Sequence, residues 1–184
     1  HDDLGRETLD KVFAEIVGAE AAAVRVQFVS GTHAIACALF GCLRPGDEML
    51  AVAGRPYDTL EEVIGLREEG QGSLKEFGVS YRELPLTEAG TIDWEGLESA
   101  VTAKTRLAFI QRSCGYSWRP SLSIADIEKI VKRVKQLNPN TICFVDNCYG
   151  EFIENREPTG VGADLMAGSL IKNPGGTLAP AGGY

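Results

Sequence analysis

The stretch Gly168-Ser169-Leu170-Ile171-Lys172-Asn173-Pro174-Gly175-Gly176 decides how the chain is read. A largely apolar run over 163–170 precedes it, which predicts a buried strand, and Asn-Pro-Gly-Gly forces a loop. Lys172 is therefore expected to project from the strand's end into a crevice. Burial or a neighbouring cation would lower its pKa, and a neutral amine can condense with an aldehyde. On these residues alone Lys172 reads equally well as a surface lysine.

Working back from the tail, 141–145 reads as a strand ending at Asp146, and 124–137 as an amphipathic helix. Its Ile127, Ile130, Val131 and Val134 fall on one face and its Lys and Arg on the other. Strands are expected over 24–29, 48–53, 79–84 and 107–111. Helices are expected over 8–18 (Leu9, Val12, Phe13 and Ile16 in register), 34–43, from Arg55 to about Glu69, and 93–101 with Asp93 as cap. Pro56 suits a first helical turn. Residues 70–73 read as a mobile loop. Strands alternating with helices of this length imply an α/β fold: a mostly parallel, doubly wound sheet with helices on both faces.

The chain has 184 residues, enough for one domain, with 44% hydrophobic and 24% charged residues. A net charge of −8 argues against a nucleic-acid or anionic-membrane partner. No apolar run is long enough to span a bilayer. Five cysteines, no C-x-x-C and two histidines point to neither a zinc site nor a disulfide framework. The thiols read as reduced, in a cytoplasmic protein. The chain begins at His1 and stops just after the glycine turn, so it is expected to be part of a longer polypeptide.

In doubly wound sheets ligands bind beyond the carboxyl ends of the strands. Ser30-Gly31-Thr32, Asp146 and Lys172 each stand where a strand is expected to end. The first of these opens a helix whose free N–H groups and dipole favour an anion, though Ser30 or Thr32 as an ordinary cap serves equally well. Asp146 requires a cation or donors, and a protonated pyridine nitrogen would serve; it could also cap the segment after it. Tyr57 could stack on a flat ring or simply pack. Ser169 lies three residues before Lys172. Cys148, near Asp146, reads first as a small buried hydrophobe. An anion cradle, an aromatic, an acid and a lysine together meet the needs of pyridoxal phosphate.

These residues also carry a resemblance. Val145-Asp146-Asn147, Ser169-x-x-Lys172, Ser30-Gly31-Thr32 and Tyr57 resemble the Cys/Met-metabolism group of fold-type I pyridoxal-phosphate enzymes. Five blocks resemble its methionine γ-lyase family or aluminium-resistance branch. They are Asp2-Asp3-x-Gly5-Arg6, Val29-Ser30-Gly31-Thr32-His33-Ala34, Gln111-Arg112-Ser113, Gly115-Tyr116-Ser117-Trp118-Arg119-Pro120-Ser121 and the Gly168–Gly176 block quoted above.

The resemblance implies a carbon–sulfur lyase acting on a sulfur-containing amino acid, with pyridoxal 5'-phosphate as cofactor. Lys172 would hold the cofactor covalently and move protons. Asp146 would meet the ring nitrogen and Tyr57 would stack on the ring. Gly31, Thr32 and Ser169, beside Ser30, would hold the phosphate. Ile171 stands where the wider family has Thr, and Arg119 near where it has an Asn. Arg119 would take over that role or hold a substrate carboxylate. The resemblance further implies a homodimer or homotetramer, with Arg6 near the region that reaches a neighbouring subunit. Residues 1–184 would form the cofactor-binding large domain, without the family's N-terminal arm and C-terminal small domain, and would be inactive alone. Two other readings remain open: a pyridoxal-phosphate enzyme of transamination or desulfuration, and a non-catalytic phosphate- or nucleotide-binding module. The absence of G-x-x-x-x-G-K-[ST] and of G-x-G-x-x-G after the first strand counts against the module.

Overall fold

A computed structural model describes residues 3–67 and 72–184. Its centre is a five-stranded, all-parallel sheet in the order β2-β1-β3-β4-β5. The strands are β1 (Glu48–Ala51), β2 (Ser80–Glu83), β3 (Thr105–Gln111), β4 (Ile142–Asp146) and β5 (Leu165–Ala167). The helices are α1 (Leu4–Val17), α2 (Gly31–Cys42), α3 (Asp58–Ile64), α4 (Trp94–Ala100) and α5 (Ile124–Leu137). The fold class is the one the alternation predicts.

The inner strands β1, β3 and β4 are buried on both faces, as parallel sheets require, while the edge strand β2 is part-exposed. Alternate side chains divide between two cores. Met49, Leu107, Phe109 and Phe144 pack against Ile35 and Leu39 of α2 and Leu60 and Ile64 of α3. Leu50, Ala108, Ile110, Cys143 and Val145 pack against Leu97 of α4 and Ile127, Ile130 and Val134 of α5. The rings of Phe109 and Phe144 meet edge-on with centroids 5.6 Å apart, a geometry that adds about 0.5–1.5 kcal/mol to their burial. Helix starts follow local chemistry. Asp93 caps α4 by accepting the Gly96 N–H at 2.9 Å. Ser123 and Asp126 form a reciprocal capping box at α5.

Four expectations are corrected. Residues 24–29 form no strand: only Arg25 makes an isolated bridge, to Gly183, and Val26 and Val29 stay 67% and 64% exposed. A β-branched run is a strand only where a neighbour supplies the ladder. The strand expected over 163–170 is only Leu165–Ala167, because the chain turns away beyond the reach of β4. The helix expected to reach Glu69 ends at Ile64. Gly65, left-handed at φ 93°, donates to the carbonyls of Glu61 and Glu62 and stops it. Glu69, Gly70 and Gln71 lie outside the described residues, as do His1 and Asp2. On α1, Phe13 and Val17 are buried against Val24 and Tyr184, but Leu9, Val12 and Ile16 are exposed. The apolar stripe is wider than the small cluster that covers it.

Among the described residues no helix is long and apolar enough to cross a membrane.

Candidate functional site

Gln111, Asp146 and Ala167 align in register, so the carboxyl ends of β3, β4 and β5 open at one level. The predicted residues gather there. Asp146 is 2% exposed, and its Oδ1 accepts the Cys148 N–H at 3.0 Å. No lysine or arginine forms an ion pair with it among the described residues. Burial pushes its carboxyl above the usual range; the Cys148 N–H and thiol and the Lys172 ammonium offset this only in part. Burial, then the Asp146 charge, pushes the Cys148 thiol far up, so it is a neutral thiol.

Lys172 is half-buried, with its Nζ 4.2 Å from the centroid of the Tyr149 ring. The expected lowering of its pKa is corrected. Burial alone would lower it, but the Cys148 thiol, the Asp146 carboxylate and Tyr149 together raise it. The groups around it favour the ammonium, and among the described residues no second cation opposes that.

Gly31 is where α2 meets this cluster. A Cβ there would lie 3.0 Å from both Cys148 Sγ and Ser169 Cβ. Glycine thus lets the helix start close against the Asp146 and Lys172 segments. The N–H groups of Gly31 and Thr32 have no acceptor among the described residues. Ser30 is the N-cap: its Oγ accepts the His33 N–H at 3.1 Å, leaving its own O–H free to donate. Ser169 is buried, its Oγ accepting the Ile171 N–H at 3.3 Å.

Tyr57 sits across from this helix start. Its hydroxyl lies 2.8 Å from Thr32 Oγ1, and its N–H donates to Gln111 Oε1 at 2.8 Å. Burial, then the Asp146 charge, raises its phenol well above the ordinary value. Arg119 is turned inward. Its Nη2 donates to the carbonyls of Gln111 (2.9 Å) and Ser113 (2.5 Å), and its Nη1 to that of Pro120 (2.9 Å). It staples the 111–120 loop to the end of β3. Burial lowers its pKa from the ordinary arginine value. Arg6 lies apart in the first turn of α1, 3.7 Å from Asp3.

Several residues of this end were given no role from the sequence. Arg112 is buried, and its Nη1 donates to Asn147 Oδ1, the Gly150 carbonyl and Glu157 Oε2. Glu151 is 2% exposed; Tyr184 donates to its Oε1 at 2.8 Å, while its Oε2 has no partner among the described residues. Burial pushes the Glu151 carboxyl and the Tyr184 phenol upward. The only signal was density: Asp146, Cys148, Tyr149 and Glu151 crowd six residues. A groove of about 720 Å³ lies elsewhere, between α1, residues 18–23 and β5, lined by Phe13, Ala22, Met166 and Tyr184. Neither Asp146 nor Lys172 lines it. Among the described residues no group of His, Cys, Asp and Glu is arranged for a metal ion.

The arrangement offers a lysine amine, a buried acid without a cation, a phenol and a helix start with free N–H groups. A cofactor with an aldehyde, a basic ring nitrogen and an anionic tail is complementary to that set.

Comparisons with known proteins show the family of the chain. The family model described as methionine gamma-lyase matches residues 1–184. The uncharacterized Bacillus subtilis protein YnbB is 56% identical over 185 residues, covering 100% of this chain and 44% of its own. The L-methionine gamma-lyase of Pseudomonas putida is 28% identical over 172 residues, covering 92% and 38%. The crystal structure of a Clostridium novyi carbon-sulfur lyase involved in aluminum resistance superposes with a TM-score of 0.95. It is 53% identical, and the match covers 100% of this chain and 44% of that one. The chain thus spans less than half the length of these relatives.

Proposed function

The chain belongs to the methionine gamma-lyase family, and from that membership we propose that it is the cofactor-binding part of a pyridoxal-phosphate carbon–sulfur lyase. The observation that carries the proposal is the meeting of Lys172, Asp146 and the start of α2 at one end of the sheet. The names of the relatives support the carbon–sulfur class. The substrate class is a sulfur-containing amino acid, and the same reading takes the whole protein as a cytoplasmic homodimer or homotetramer.

Lys172 would hold the cofactor's aldehyde carbon. Asp146 would face its ring nitrogen, where a proton gives the buried carboxylate the cation it lacks. Tyr57 would lie against the ring. The N–H groups of Gly31 and Thr32 and the hydroxyls of Ser30 and Ser169 would receive the phosphate. When bound, pyridoxal phosphate supplies an electron sink for a carbanion beside an amino group. The chain's own residues then divide the remaining tasks. Asp146, kept from water by the ends of β3 and β5, would hold a negative charge against a cationic nitrogen. Lys172 would take the proton from the substrate α-carbon as general base and return one as general acid. Arg119 keeps the 111–120 loop folded against the site.

The test is product analysis with the full-length protein loaded with pyridoxal phosphate. Incubation with L-cystathionine or L-methionine should release ammonia and a 2-oxo acid together with a thiol. A protein that binds the cofactor at Lys172 but releases no 2-oxo acid from any sulfur amino acid would remove the lyase reading.

A further inference from the structure

Lys172 is not placed by the sheet. β5 ends at Ala167, five residues earlier, and the chain between them runs in turns. Backbone bonds hold that stretch: the Gly168 N–H and carbonyl pair with the Tyr184 carbonyl and N–H at 3.2 Å each, the Leu170 N–H donates to the Gly182 carbonyl at 3.0 Å, and the Lys172 N–H donates to the Ser169 carbonyl at 3.4 Å. None of them fixes where the amine points. A side-chain contact does more. The Asn173 Nδ2 donates to the carbonyls of Tyr149 (3.2 Å) and Glu151 (2.9 Å). It ties the residue after Lys172 to the loop that follows Asp146.

That loop is held in an uncommon form. Tyr149 has φ 67° without being glycine, a conformation that persists only where surrounding contacts over-determine it. One amide bonding the carbonyls on both sides of Gly150 is such a contact. In that loop the Tyr149 ring stands 4.2 Å from Lys172 Nζ.

We propose that Asn173 is a positioning residue for Lys172: its amide clamps the lysine's turn to the 149–151 loop and sets the Tyr149 ring against the amine. The importance of the clamp for function, though not its geometry, rests on Lys172 being the cofactor lysine. The groups that face the amine come from the end of β4 (Asp146) and the segment after it (Cys148, Tyr149 and, farther off, Glu151), and the 149–151 part of that segment is what Asn173 grips. Releasing the clamp lets the flexible side chain swing to water and lose them together.

Competitive acetylation of the full-length, cofactor-free protein, read peptide by peptide by mass spectrometry, tests this without any turnover. In Asn173→Ala, Lys172 should acetylate about three to ten times faster at pH 8, since one unit of pKa is a tenfold change in free amine. Tyr149→Leu, which keeps bulk but removes the ring face, should move it the same way by about two- to threefold. Lys135 is the internal control. It donates to the Thr141 carbonyl and pairs with Asp164, each at 2.7 Å, away from the clamp. An unchanged Lys172 rate in Asn173→Ala overturns the proposal. So does a rise at Lys135 as large as at Lys172, which would make Asn173 a general fold residue. Pyridoxal phosphate uptake, followed by visible absorbance, should be slower in Asn173→Ala than in wild type. A wild type with no uptake at Lys172 would overturn the clamp's functional role, and the acetylation arms would still decide its geometry.

Discussion

The two ends of one sheet are built on opposite plans. At the amino end the polar groups pair with one another. Thr105 donates to Glu48 Oε1 at 2.8 Å, Arg82 Nη1 reaches Glu48 Oε2 at 3.5 Å, and Thr141 donates to the Thr105 carbonyl at 2.7 Å. Asn138 closes the edge on the Thr102 carbonyl at 3.0 Å. At the carboxyl end Arg112 is paired with Glu157 and Glu154, but two acids are buried without a cation. Asp146 and Glu151 are pushed toward their neutral forms by burial, and Glu151 Oε2 has no donor among the described residues. Such groups are costly unless something outside the chain completes them. The difference separates a finished end from one arranged for a ligand.

The first way to break this contrast is to damage what both ends share. Phe144 lies fully buried between α2, α3 and β3. Phe144→Ala should lower unfolding free energy by about 3–5 kcal/mol, and cofactor binding should fail with the fold. Urea unfolding measures it. A loss under about 1 kcal/mol would mean that this core relaxes around the cavity.

The sharper test acts on one end at a time. Asp146→Asn keeps shape and removes charge, so turnover by the full-length enzyme should fall roughly 10²- to 10³-fold. Glu48→Gln should cost about 1 kcal/mol of stability and leave turnover nearly unchanged. Equal effects on turnover would erase the distinction between the ends.

The smallest effect is in pH dependence. A carboxyl whose pKa is raised on folding binds its proton more tightly in the native state than in the unfolded one. Its contribution to stability therefore falls as pH rises from the unfolded value toward the folded one. Glu151 is such a group. Glu151→Gln should gain on wild type as pH rises above the ordinary glutamate range in urea unfolding. Parallel curves would mean that Glu151 is not held neutral.

Legibility in the sequence follows the same division. The α5 helix falls on the residues predicted, because a strong 3.6-residue period and a Ser-x-x-Asp cap are both local. Five strands and the parallel character of their sheet were legible from β-rich runs between helices, but their order in the sheet was not read. Asp146 was legible because it ends such a run. Residues 24–29 misled because β propensity does not reveal whether a neighbouring strand exists. Lys172 was found by motif, but neither its raised pKa nor its turn could be read, since both depend on Cys148, Tyr149 and Asn173 meeting across more than twenty residues. Arg112, Glu151 and Tyr184 were given no role for the same reason: their partners lie up to 45 residues away.

The central claim is that Lys172 and Asp146 form one cofactor site at the carboxyl end. Borohydride reduction of the full-length protein loaded with pyridoxal phosphate, followed by peptide mass mapping, tests it most directly. The account predicts the cofactor mass on the peptide carrying Lys172, lost together with the visible absorbance in Lys172→Ala. A label on Lys104, Lys129 or any other lysine, with Lys172 unmodified, would contradict it.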